Sequence, residues 1–103
     1  VRVSERAWQA QVLALARYLK WRVAHFRPAQ NSKGIWRTPV AADAAGFPDL
    51  VLVRERVLFV ELKTDTGKLS PVQREWLRAL VGAGVDARVW RPRDWDEVRE
   101  TLA

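Results

Sequence analysis

Over the first twenty residues the apolar positions Trp8, Val12, Leu15 and Leu19 recur at intervals of three and four, which places them on one side of a helix. Ser4 stands where a capping hydroxyl is needed. Trp21 to Phe26 predicts a strand, with Trp21, Val23 and His25 alternating along it. Arg27 to Gly46 has no clear period, holds two prolines and is long for a connection in a small domain, so it predicts a binding loop or a flexible one. Two short apolar runs, 50 to 53 and 57 to 62, flank Arg54-Glu55-Arg56 and predict a buried hairpin. Ser70-Pro71-Val72-Gln73 then combines a capping serine, a proline in the first turn and a glutamine three residues beyond the cap, the signature of a helix start. Val72, Trp76 and Leu80 form the apolar stripe of that helix, and Gly82 and Gly84 end it. A strand at 87 to 90 and a short helix capped by Asp94 complete the series. The order helix, strand, hairpin, helix, strand, helix suits an α/β sandwich, a mixed sheet covered by helices. A chain of 103 residues is enough for one such domain, spanning 1–103, with one core.

Composition narrows the chemistry. Cysteine is absent and His25 is the sole histidine, so a thiolate or histidine-rich zinc site is excluded. A metal here takes carboxylates and carbonyls, the ligands of magnesium or manganese. The chain has no apolar stretch that spans a bilayer and its first residues lack a signal-peptide core, which predicts a soluble protein of the cytoplasm, not secreted. Residues 1–40 carry eight Lys or Arg against one acid, Glu5, a net charge of +7; the whole chain carries +6, so the remainder is −1. A basic part beside a balanced body is the asymmetry of a protein with one face toward a polyanion, most often nucleic acid. The alternative is compositional, since fourteen of the eighteen basic residues are arginine.

One stretch stands out against this background. At the end of the second apolar run, FVELKTDTGKLS places Glu61 and Lys63 on the same side of a strand. As an isolated feature this is a surface ion pair or a site held on rigid backbone. Register sharpens the choice: a hairpin folded about Glu55 sets position 49 opposite position 61, six residues from the centre on either side. Asp49 then faces Glu61, and like charges directly opposed are destabilising unless a cation neutralises them. Arg54-Glu55-Arg56 contains no Gly or Asn for a tight turn, and a bulge there would shift the register by one and separate the acids. Two carboxylates and a lysine on one face suit phosphodiester hydrolysis, in which a divalent ion supports charge on the phosphate while the lysine orients or helps deprotonate water.

The segment GFPDLVLVRERVLFVELKTDTGKLSPVQREWL, 46 to 77, resembles the PD-(D/E)xK nuclease signature, and most closely the virus-type replication-repair nuclease (VRR-Nuc) family. The likeness rests on Gly46-Phe47-Pro48-Asp49, Glu61-Leu62-Lys63, Gln73 and, near the start, Glu5. It implies an αβββαβ core with a short C-terminal helix and a Mg2+- or Mn2+-dependent deoxyribonuclease. Asp49, Glu61 and the Leu62 carbonyl become metal ligands, Lys63 the water-activating residue, and Gln73 a neighbour of the lysine that shapes the site. Gln73 also has an ordinary role in the capping box. Glu5 completes the metal's surroundings through water, or simply complements the helix dipole. Arg27, Lys33, Arg37, Lys68 and His25 are candidate DNA contacts, and Trp36 a surface for a splayed base. The expected activity is an endonuclease on structured DNA, above all four-way junctions, in replication, recombination or repair. The alternatives are a PD-(D/E)xK nuclease of another branch acting on flaps or linear duplex, as restriction enzymes do, or a DNA-binding module without catalysis. A junction's two-fold symmetry predicts a homodimer, with Trp90 or Trp95 between subunits.

Overall fold

The computed structural model describes residues 2–26, 29–30, 36–37 and 42–103, with backbone alone at 29–30 and 36–37. Ser4 Oγ accepts from the Ala7 amide at 3.1 Å and starts α1 (Glu5–Tyr18), which buries Trp8, Val12 and Ala16 along one line. Leu15 and Leu19 pack beside that line, half-buried. The helix closes with Lys20 at φ 72, a conformation that usually falls to glycine, and the Trp21 amide donates back to Ala16 O.

β1 (Arg22–His25) follows, shorter at both ends than the strand expected from the sequence. The segment read as aperiodic contains β2 (Ala29–Gln30) and β3 (Trp36–Arg37), an antiparallel pair apart from the main sheet. Two residues per strand are too few to leave a period in the sequence, so the residue pattern does not reveal this hairpin. β4 (Leu50–Val53) and β5 (Val57–Leu62) pair antiparallel, Leu50 with Val60 and Val53 with Val57, so no bulge displaces the register centred on Glu55. α2 (Pro71–Gly82) then crosses to β6 (Ala87–Trp90), parallel to β5. A 3-10 turn, Pro92–Asp94, leads into α3 (Trp95–Leu102). The main sheet runs β1-β4-β5-β6 and is mixed.

The sheet's two faces are unequal. Val23, Leu50, Leu52, Leu58, Val60, Leu62 and Trp90 lie on one side, where α1 and α3 bring Trp8, Val12, Ala16, Val98 and Leu102 to complete a closed core. Trp90 is fully buried there and its indole donates to Glu97, so it has no surface to offer a second subunit, contrary to the expectation from the sequence. Trp95 packs edge-on against Trp8 at 5.9 Å. The other side carries Val51, Phe59, Glu61 and Val89, and α2 lies over it. None of the α2 residues is buried, and Val72, expected in its inward stripe, is 43% exposed. That helix rests on a thin aromatic layer in which Phe47 meets Phe26, Phe59 and Trp76 edge-on at 5.1–5.9 Å.

At the hairpin's tip Arg54 stacks on Trp21, 4.6 Å from the ring centre, and donates to the carbonyls of Leu19 and Leu102. Arg56 donates to Thr101 O at 2.6 Å. The tip is therefore tied to the ends of α1 and α3. Among the described residues no helix is long and apolar enough to cross a membrane.

Candidate active site

The opposite end of the same hairpin holds the acids. Asp49 directly precedes β4, and Pro48 before it is fully buried, so the chain enters the strand from a fixed direction. Asp49 Oδ2 accepts from the Leu62 amide at 3.0 Å, which lays its carboxylate along the last residues of β5. Glu61 is on that strand, 2% exposed, under the first turn of α2. Its Oε2 accepts from Gln73 Nε2 at 3.1 Å, whereas Oε1 is buried and has no donor among the described residues.

Gln73 serves two elements at once. Its Oε1 accepts from the Ser70 amide at 2.8 Å and Ser70 Oγ accepts from the Gln73 amide at 3.2 Å, a complete capping box. The glutamine, expected to shape the site beside Lys63, bonds to Glu61. Gly46 makes this reach possible. It has φ +85, and a methyl group there would lie 2.7 Å from the Val72 carbonyl carbon and 2.9 Å from the Gln73 nitrogen, so only glycine lets the start of α2 approach so closely.

Burial, first, and the neighbouring Asp49 charge, second, push the Glu61 carboxyl up to about 8. The two carboxyl groups are close enough to share a proton, and Lys63 opposes the shift from the same side of the strand. At neutral pH the pair thus holds a proton that a cation would displace. Lys63 is half-buried, and its amide donates to Trp90 O at 3.1 Å as β5 ends beside β6.

The other expected residues are spread more widely. Glu5 is exposed in the first turn of α1, and among the described residues no third His, Cys, Asp or Glu joins Asp49 and Glu61 in a metal-holding group. His25 pairs with Leu50, which puts it on the sheet's core side, away from Glu61. Lys68 is exposed in the turn after Lys63. Arg27 and Lys33 lie outside the described residues, and Arg37 and Trp36 are placed by backbone only, in β3.

The pattern of the VRR-NUC domain matches residues 7–94, most of the chain and all of the site geometry above except Glu5. The chain belongs to the VRR-NUC family. A solved structure of a VRR_NUC domain protein shares the fold, with a TM-score of 0.69 and 24% identity over 99% of this chain and 87% of that one. A search of curated proteins finds no match. VRR-NUC membership makes this a nuclease domain of the PD-(D/E)xK type, from a family that generally uses divalent metals.

Sequence reasoning missed two VRR-NUC site features. The first is the closeness of Gly46 to α2, for which a lone glycine before Phe-Pro-Asp was the available signal. The second is the reach of Gln73 to Glu61, which depends on how a helix docks and has no local signature.

Proposed function

We propose that the protein is a Mg2+- or Mn2+-dependent endonuclease of structured DNA, favouring four-way junctions and acting inside the cell in replication, recombination or repair. The observation that carries this reading is Glu61: a buried carboxyl with one oxygen anchored by Gln73 and the other without a donor among the described residues, beside Asp49 and on the side of the strand that bears Lys63. An oxygen-only donor set, with two adjacent carboxyl groups and a buried oxygen that receives no donor among the described residues, fits a hard divalent cation. Asp49, Glu61 and the Leu62 carbonyl would hold it, and its charge would stabilise the phosphorane-like transition state and the leaving oxygen.

The chain's own groups do the remaining work. Gln73 keeps Glu61 in one orientation, so its free oxygen needs no reorganisation when charge develops. The Leu62 amide does the same for Asp49. Lys63 orients the attacking water by hydrogen bonding and assists its loss of a proton. Glu61 stands on β-sheet backbone, with Asp49 one residue before β4 and Lys63 one residue after β5, so the three side chains are set by the ends of two paired strands. The basic residues of 1–40 supply the attraction to the phosphate backbone. A homodimer would present one such site to each of two symmetry-related strands of a junction.

The test is cleavage of four-way, flapped and linear duplex DNA with Mg2+, Mn2+ or EDTA. Metal-dependent, paired incision of four-way junctions is expected. Glu61→Gln and Lys63→Met are each expected to lower the rate by about 100-fold or more, the scale of a lost group acting only in the transition state, while DNA affinity stays within about two-fold. Wild-type rates in either variant would refute the site, and equal cutting of linear duplex would refute the junction preference.

A further inference from the structure

Lys63 stands at the point where β5 gives way to a turn, and a side chain there is only as fixed as the turn that follows. Residues 64 to 67 fold tightly: the Gly67 amide donates to Thr64 O at 3.3 Å and to Thr64 Oγ1 at 3.0 Å. The turn is held mainly from outside, by the residues after β6. Arg91 Nη1 donates to both Thr64 O and Gly67 O, at 2.6 Å each, short charge-assisted bonds that draw the two ends of the turn onto one guanidinium. Arg93 adds its amide to Asp65 Oδ1 at 3.0 Å and its Nη1 to Asp65 O at 3.2 Å.

Arg91 is itself well fixed. Its amide donates to Asp94 Oδ2 at 2.8 Å, and its carbonyl accepts from the Asp94 amide at 2.8 Å. The preceding residue, Trp90, is buried and its carbonyl accepts both the Lys63 amide and the Trp8 indole. Rigid core, Arg91, turn and Lys63 are thus joined in a continuous set of hydrogen bonds. The lysine's stem runs along the turn: a methyl group on Gly67 would lie 3.6 Å from Lys63 Cδ and 3.0 Å from Thr64 Oγ1.

We infer that Arg91 is a positioning residue: by clamping the turn at Thr64 and Gly67 it sets the path of the Lys63 side chain and holds its amine beside the Asp49–Glu61 pair. The inference rests on the nuclease reading for what Lys63 does, though not for where Lys63 lies. Arg91→Met removes the clamp and keeps the apolar stem, and Arg91→Lys retains a shorter cation able to reach part of the turn. Both are compared with wild type in two ways.

In the metal-free protein, NMR is expected to show the Gly67 amide of Arg91→Met exchanging at least about ten-fold faster, the consequence of opening a local unit. The Overhauser effect between the Lys63 side chain and Gly67 is expected to vanish in the same variant. In cleavage assays kcat is expected to fall roughly 10–100-fold at unchanged KM, the scale of a displaced catalytic group, with Arg91→Lys recovering part of it. Wild-type exchange and an undiminished Overhauser effect in Arg91→Met would overturn the inference. A rise in KM at constant kcat would also overturn it, by making Arg91 a DNA contact. Should the wild-type protein cut no DNA under any condition, the nuclease reading falls, while the NMR comparison still decides whether Arg91 directs Lys63.

Discussion

Glu61 holds its proton to about pH 8 because it is buried first and next to Asp49 second, and this ties the site to the stability of the metal-free protein. Its native affinity for the proton exceeds that of an ordinary, unfolded-chain glutamate, so the folded state binds more protons between roughly pH 4.5 and 8. Stability from this group is complete below that window and is lost as pH rises through it. Without metal, the melting temperature is expected to drop between about pH 5 and pH 8.5, and Glu61→Gln to flatten the curve and raise its alkaline end. A wild-type curve with no fall across that range would contradict the assignment. The linkage has a second face: a cation must displace the shared proton, so metal affinity should rise with pH up to about 8. Much of this is legible in the sequence. Asp49 and Glu61 are equidistant from Glu55, and a hairpin pairs equidistant positions once its turn adds no bulge. What the pattern does not contain is the depth of Glu61, since a carboxylate at a strand's end reads as exposed until a helix is laid over it.

α2 is the element on which that depth depends. Its ends are plain in the residue types, and Ser70 and Gln73 form the capping box that their spacing predicts. Its docking is not plain. An apolar stripe at helical spacing says that a helix leans on something, but Trp76 meets only a thin aromatic layer, and Val72, Trp76 and Leu80 all remain partly exposed. α1, whose stripe meets the closed core, matches its pattern far better. With so little burial, α2 relies on specific contacts, among them the Trp76 indole donating to Asp43 O at 2.8 Å and the close approach at Gly46. Gly46→Ala combines a methyl clash with a left-handed backbone unfavourable to alanine, and is expected to cost about 2–4 kcal/mol. Urea unfolding measures that loss. Because the displaced helix carries Gln73, cleavage should fall further than the unfolded fraction explains, and full activity per folded molecule would count against the Gly46 role.

At the scale of the molecule, charge and rigidity are distributed along the chain in different ways. The positive excess belongs to residues 1–40, part of which lies outside the described residues, so the DNA-contact expectation for Lys33 and Arg37 rests on sequence. Replacing both by glutamine should weaken binding to all DNA sequences alike and lower the salt slope by about two, near 0.9 for each phosphate no longer neutralised. Fluorescence anisotropy across a salt series reads this, and an unchanged slope would move the contact surface elsewhere. The tie at the other end of the hairpin, Arg54 and Arg56 on the ends of α1 and α3, lies at the far end of the strands from Asp49 and Glu61. Arg54→Ala should lower the melting temperature and leave turnover per folded molecule unchanged, which thermal scans and single-turnover assays can separate. The same two strands thus run from an anchor to a workshop. In lineages that meet hotter or colder habitats, thermal adaptation has a place to act, the turn at 54 to 56, where substitutions alter endurance without renegotiating the geometry on which cutting depends.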